Sequence, residues 1–157
     1  MRYCPFLEKK IKKDIPIFII QGNFGMGVRD FSLLKKIMDA EYNYYYKIKL
    51  IGRGSLPKLL DEHKDKIIFK QNLNFIDYHK EFLDCYGIFT LINCYTHDCY
   101  YKYKLTSTIN YAKGYDLKCI LDRNLQKIYN LKNAEVYDNI NNISEAFEKT
   151  LISFYEN

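Results

Sequence analysis

Two short stretches carry residue types and spacings that suit phosphate chemistry. The first runs Gly22-Asn23-Phe24-Gly25-Met26-Gly27-Val28-Arg29. Its glycines let backbone N–H groups approach an anion closely, and Arg29 places a cation beside the start of the next helix. It fails as a dinucleotide fingerprint, because Gly25 and Gly27 lack the third glycine and no acidic residue closes the following strand. Glycine at a tight strand-to-helix turn is the plainer reading, and anion binding stands beside it. The second stretch, Lys102-Tyr103-Lys104-Leu105-Thr106-Ser107-Thr108, sets two lysines and three hydroxyls around a predicted helix N-terminus. There, hydroxyls and free N–H groups meet phosphate oxygens and lysine supplies the charge. A Ser/Thr cap with solvated lysines would look the same; the place of the cluster after the fourth strand favours a ligand.

Other candidates are weaker. Gly52-Arg53-Gly54-Ser55 is a glycine turn without the Lys and Ser or Thr of a phosphate loop. Cys94, His97, Asp98 and Cys99 lie close together, but no second ligand pair completes a zinc site, so a substrate-contacting loop is the better reading and no metal is expected. His63 and His79 fall on charged predicted helices and read as surface residues. Neither GxSxG nor HExxH occurs, which argues against esterase and zinc-protease chemistry. No residue is assigned a catalytic role.

The elements that must position these stretches alternate regularly. Apolar runs at 17–20, 47–51, 66–70, 87–92, 117–121 and 134–137 read as short buried strands. Helical spacing joins Phe31, Leu34, Ile37 and Met38, then Phe75, Tyr78, Phe82 and Tyr86 on one face of a helix over 75–86. A further helix over 105–113 would stop at Gly114. The last helix carries the stripe Ile143, Ala146, Phe147, Thr150, Leu151 and Phe154, opened by Asn142 and Glu145 in a capping-box arrangement. About six strands alternating with helices predict an α/β fold: a Rossmann-like open parallel sheet with helices on both faces. In such a sheet ligands bind beyond the carboxyl ends of the strands. Residues 1–14 read as a basic lead-in and 15–157 as a single domain.

Composition bounds the rest. In 157 residues, 48% are apolar, which is ample for one core. The formal charge of +5 draws anions without choosing among them. No RGG tract, RNP motif or finger spacing accompanies it, so nucleic acid is not the expected partner. Five scattered cysteines point to a reducing compartment rather than a disulfide framework. The start lacks the apolar stretch of a signal peptide, and no apolar run reaches membrane-spanning length. A cytoplasmic protein is expected.

The order of these features resembles the C-terminal, nucleotide-sugar-binding domain of GT-B glycosyltransferases of the family 4-like type. QGNFGMGVRDFSLLKKI resembles the phosphate-facing glycine turn with its downstream Arg and Lys, and KIKLIGRGSLPKLL the second strand with its Gly-x-Gly turn. KIIFKQNLNFIDYHKEFLDCYGIFTLI resembles the strand, helix and strand that lead to the donor crevice, and KLTSTINYAKGYDLKCIL the helix and strand that follow. The Lys- and Asn-rich style also resembles giant-virus glycosyltransferase-like proteins. The resemblance implies a nucleoside diphosphate-sugar as donor substrate and no tightly bound cofactor. It implies a donor set of Gly22, Asn23, Gly25, Gly27, Arg29, Lys35 (or Lys36), Gly52, Lys104, Thr106, Ser107 and Thr108. It further implies an acceptor-binding N-terminal domain or separate polypeptide as partner. The paired glutamates of the family would fall at Tyr101 and Ile109, and neither is acidic. An interaction module that kept the fold without the chemistry is therefore the alternative. Another doubly wound enzyme or an RNA-binding domain also stays open, because such sheets host many chemistries.

Overall fold

The computed structural model describes residues 11, 13–24, 29–93, 97, 99–102 and 106–156, without the side chains of 101 and 102. Gly25, Gly27 and Lys104 lie outside the described residues. In chain order the elements are β1 (Ile17–Asn23), α1 (Phe31–Asp39), β2 (Lys47–Arg53), a 3-10 segment (Lys58–Lys66) and β3 (Ile67–Gln71). Then follow α2 (Phe75–Lys80), β4 (Gly87–Phe89), α3 (Cys99–Lys102), α4 (Ser107–Gly114), β5 (Lys118–Asp122), α5 (Arg123–Tyr129), β6 (Ala134–Tyr137) and α6 (Ile143–Glu156). The six strands form one sheet in the order β3-β2-β1-β4-β5-β6, with every pairing parallel. This is the Rossmann-like architecture expected.

Alternation along buried strands sends side chains to two cores. Phe18, Ile20, Ile48, Leu50 and Phe89 pack with α1 and α6, around Phe147. Ile19, Ile51, Ile88, Cys119 and Leu121 pack on the other face with Phe82, Ile109, Ala112 and Leu125. Helices therefore cover both faces. The α6 stripe is as expected, with Ile143, Ala146, Phe147, Thr150 and Leu151 buried.

Two local expectations are corrected, and one helix is added. The helix after β3 ends at Lys80 instead of continuing to 86, and Phe82 and Tyr86 part to opposite faces of the sheet. Helix α4 ends at Gly114 as expected, and the left-handed residue beyond it is Asp116, at φ 52°. The capping box sits at Asn139 and Asn142, one turn before the expected place. Helix α5, which the sequence reading passes over, starts where the Asp122 carboxylate accepts from the Leu125 N–H.

Candidate functional site

The strand order reverses at β1, which has β2 on one side and β4 on the other. Connections leaving β1 and β4 diverge there, and in open parallel sheets the crevice at the carboxyl ends of such strands is where ligands bind. Gly22 and Gly52 are register partners at its edge. Both have positive φ, 138° and 147°, and a Cβ at Gly52 would stand 1.7 Å from the Gly22 carbonyl oxygen. Glycine is required there by backbone contact, whatever the site binds.

Arg29 organises the crevice. Only 6% of the residue is exposed. Its Nε and Nη2 donate to the Gln21 carbonyl at 3.2 and 3.0 Å, and Nη2 also donates to Thr108 Oγ1 at 3.0 Å. The Gln21 side-chain amide donates to Ser107 Oγ and Thr108 Oγ1, each at 3.1 Å. Tyr78 donates its hydroxyl proton to Gln21 Oε1 at 3.4 Å. Two donors therefore fill both lone pairs of the fully buried Thr108 hydroxyl, leaving its proton to be given elsewhere. No carboxylate bonds Arg29 among the described residues. Burial lowers its pKa from the ordinary 12.5, yet a guanidinium keeps its charge at neutral pH.

The opposite wall is built from β4. Leu91 takes a left-handed conformation, φ 49°, rare for a residue with a branched side chain. Its carbonyl accepts the Asp30 N–H at 2.6 Å. The Asp30 carboxylate caps α1 by accepting from the Ser32 N–H at 3.1 Å, and its second oxygen accepts from the Asn93 amide at 2.7 Å. Buried His97 accepts the Asn93 N–H at 3.3 Å through Nδ1. Thr106 caps α4 through its side chain, and its N–H donates to the Tyr129 hydroxyl at 3.2 Å.

Of the expected donor set, Arg29, Ser107 and Thr108 are joined in one hydrogen-bonded cluster with Gln21; Gly22 follows Gln21 and pairs with Gly52, and Asn23 pairs with Arg53 in the same register. Thr106 is adjacent as the cap. Lys35 is not brought there. Its ammonium pairs with Asp39 at 2.7 Å in the last turn of α1, while Lys36 reaches Asn141. Ile109, where the resemblance would put an acidic group, is a core residue. Phe24 packs against Phe31 and Phe69 in the core and does not narrow the crevice. Gln21 and Asp30 lie outside the stretches the sequence singles out, the signal for Gln21 being a polar residue at the end of the apolar run Ile17 to Ile20, whereas Asn93 opens the polar loop expected at a strand end. His79 is buried rather than at the surface, 3% exposed, with Nδ1 2.9 Å from the Tyr115 hydroxyl. His63 pairs with Asp39 at 2.6 Å.

No helix of the described residues is long and apolar enough to cross a membrane. No family model matches the chain, and no curated protein does. Solved structures do, 22 chains of them. One is the apo form of the lipopolysaccharide outer core galactosyltransferase WaaB, at a TM-score of 0.67 and 14% identity, covering 93% of this chain and 43% of that one. At that identity the likeness is one of fold. The chain spans less than half the length of that galactosyltransferase, and it has the Rossmann-like fold of one half of a GT-B enzyme.

Proposed function

We propose that the crevice between β1 and β4 binds a nucleoside diphosphate-sugar, and that residues 15–157 act as the donor-binding half of a glycosyltransferase. The observation that carries this is Arg29. A buried guanidinium held by a backbone carbonyl and a threonine hydroxyl, with no carboxylate on it among the described residues, carries its positive charge in a low-dielectric setting. A diphosphate beside the N-terminus of α4 would supply the opposing charge and accept from Ser107 and the free helix N–H groups. Gly25, Gly27 and Lys104 belong to the proposed contact set, whereas Lys35, held at Asp39, does not. The acceptor would come from a partner domain or polypeptide.

The core position of Ile109 favours a second reading, an interaction module that binds without transferring. Calorimetry with UDP, GDP, ADP and their sugars separates the two. Donor binding predicts one base bound at micromolar to millimolar affinity, weakened about tenfold or more by Arg29→Lys at a temperature where the variant is folded. Silence across the panel, or binding indifferent to Arg29→Lys, rejects it.

A further inference from the structure

At the far end of α1 from Arg29, side chains of two elements converge. Asp39 is the last residue of the helix, and Glu62 and His63 come from the 3-10 segment that precedes β3. Leu60 of that segment is fully buried in the core with Leu34, Ile37 and Met38, which fixes the segment against α1. At His63 the backbone departs from helical geometry, with φ −114° and ψ 16°. Its largely buried imidazole has Nε2 2.6 Å from Asp39 Oδ1. One ligand atom from each of Asp39, Glu62 and His63 lies within 4.8 Å of the other two, the one such group among the described residues.

We propose that Asp39, Glu62 and His63 form a zinc site, which the ion enters by displacing Lys35. An imidazole beside two carboxylates suits a borderline transition ion, whereas calcium and magnesium take oxygen ligands. An ionised carboxylate only accepts, so the hydrogen between Asp39 and His63 belongs to Nε2, and zinc takes its place. Zinc bonds of about 2.1 Å set ligand atoms about 3.4 Å apart in a tetrahedron. The Asp39–His63 pair therefore parts by about 0.8 Å, and the exposed Glu62 draws in from at most 4.8 Å. Lys35 supplies the positive charge meanwhile: its ammonium bonds Asp39 Oδ2 at 2.7 Å and feels the charge of Glu62. Its long, partly exposed side chain swings into water when a divalent ion arrives. Water completes the coordination. The bound ion ties α1 to the segment leading into β3, and about 14 Å of helix separates it from the crevice. Zinc binding and the nucleotide reading can each fail without the other.

Calorimetry of the whole chain with zinc chloride tests it, with magnesium, calcium and UDP as separate probes and cobalt absorption to read the ligand type. The expected result is zinc bound at micromolar affinity, no response to magnesium or calcium, and a cobalt spectrum free of the charge-transfer band that thiolate ligands give. Glu62→Gln and His63→Gln should weaken zinc about tenfold or more, and Lys35→Met should tighten it severalfold, with the UDP response unchanged. The Glu62 side chain is exposed, so its substitution removes no core packing even if His63→Gln disturbs the fold. No zinc binding, an affinity that Glu62→Gln or Lys35→Met leaves unchanged, or a cobalt spectrum showing that the metal sits on cysteine overturns the proposal. A lost UDP response with zinc binding intact rejects the nucleotide reading alone.

Discussion

His79 is neutral in the fold for a physical reason. Its ring sits among Phe75, Tyr78, Phe82, Tyr111 and Tyr115, with Nδ1 on the Tyr115 hydroxyl. Burial lowers its pKa from the ordinary 6.5. The unfolded chain therefore binds a proton more readily than the folded one. This group costs no stability above about pH 6.5, and stability falls as the pH drops below that value towards the lowered folded pKa. Urea unfolding at pH 7.5 and 5.5 should show the wild type losing stability at the lower pH. His79→Phe, which keeps an apolar ring there, should lose less over the same interval. Equal losses in the two proteins would mean that other groups carry the pH dependence.

At the scale of elements, one buried side chain ties the segment after α2 to the sheet. Lys49 is a polar residue in a strand that reads as apolar, and it points into the core beneath α2. Its ammonium takes the Glu81 carbonyl at 3.0 Å and the carboxylates of Glu81 and Asp84 at 3.3 and 2.7 Å. The N–H groups of Glu81, Phe82 and Leu83 already bond three residues back, and the Cys85 N–H does the same to the Phe82 carbonyl, so Lys49 ties down a chain that has left the α-helix. Removing the ammonium strands Asp84, whereas Glu81 keeps Lys70. Lys49→Met should lower the unfolding free energy by about 3 kcal/mol, and Lys49→Met with Asp84→Leu should recover more than half of that. Denaturant titration of the four proteins of this cycle measures it, and additive losses would show that the pair is not coupled. The same residue marks the limit of what the sequence made legible. Strands at 17–20, 47–51 and 134–137 declare themselves by apolar runs, because a parallel strand is buried on both faces. The stop at Lys80 is marked by no glycine or proline, and the ion pair that holds the following turn comes from a lysine in β2, beyond any local period. The crevice divides in the same way. Glycine and arginine near a helix start are local signals, so Gly22 and Arg29 were found. Gln21 meets Ser107 and Thr108 only once β1 and α4 are adjacent, and Lys35, which the family resemblance puts in the donor set, pairs with Asp39 one turn on.

In the whole molecule, the sheet is joined unevenly. Seven residue pairs link β1 to β2, but only Phe18 with Gly87 and Ile19 with Ile88 link β1 to β4. Above that short ladder the two halves are held by Arg29 and Gln21 reaching Thr108, and by Asp30 reaching Leu91 and Asn93. These bonds cross the crevice assigned to the nucleotide. A ligand there would add contacts across the narrowest join in the fold, and binding to the native state alone stabilises it by RT ln(1 + [L]/Kd). At a hundredfold excess over Kd this is about 2.7 kcal/mol, a rise in melting temperature of roughly 5–10 °C for a chain of this size. Hydrogen exchange should slow on both sides of the join, at 29–31 and at 90–93, and less at β3 and β6 on the sheet edges. Arg29→Lys should reduce the thermal shift and the protection together. A shift that survives this substitution, or protection confined to one side of the join, would place the ligand elsewhere.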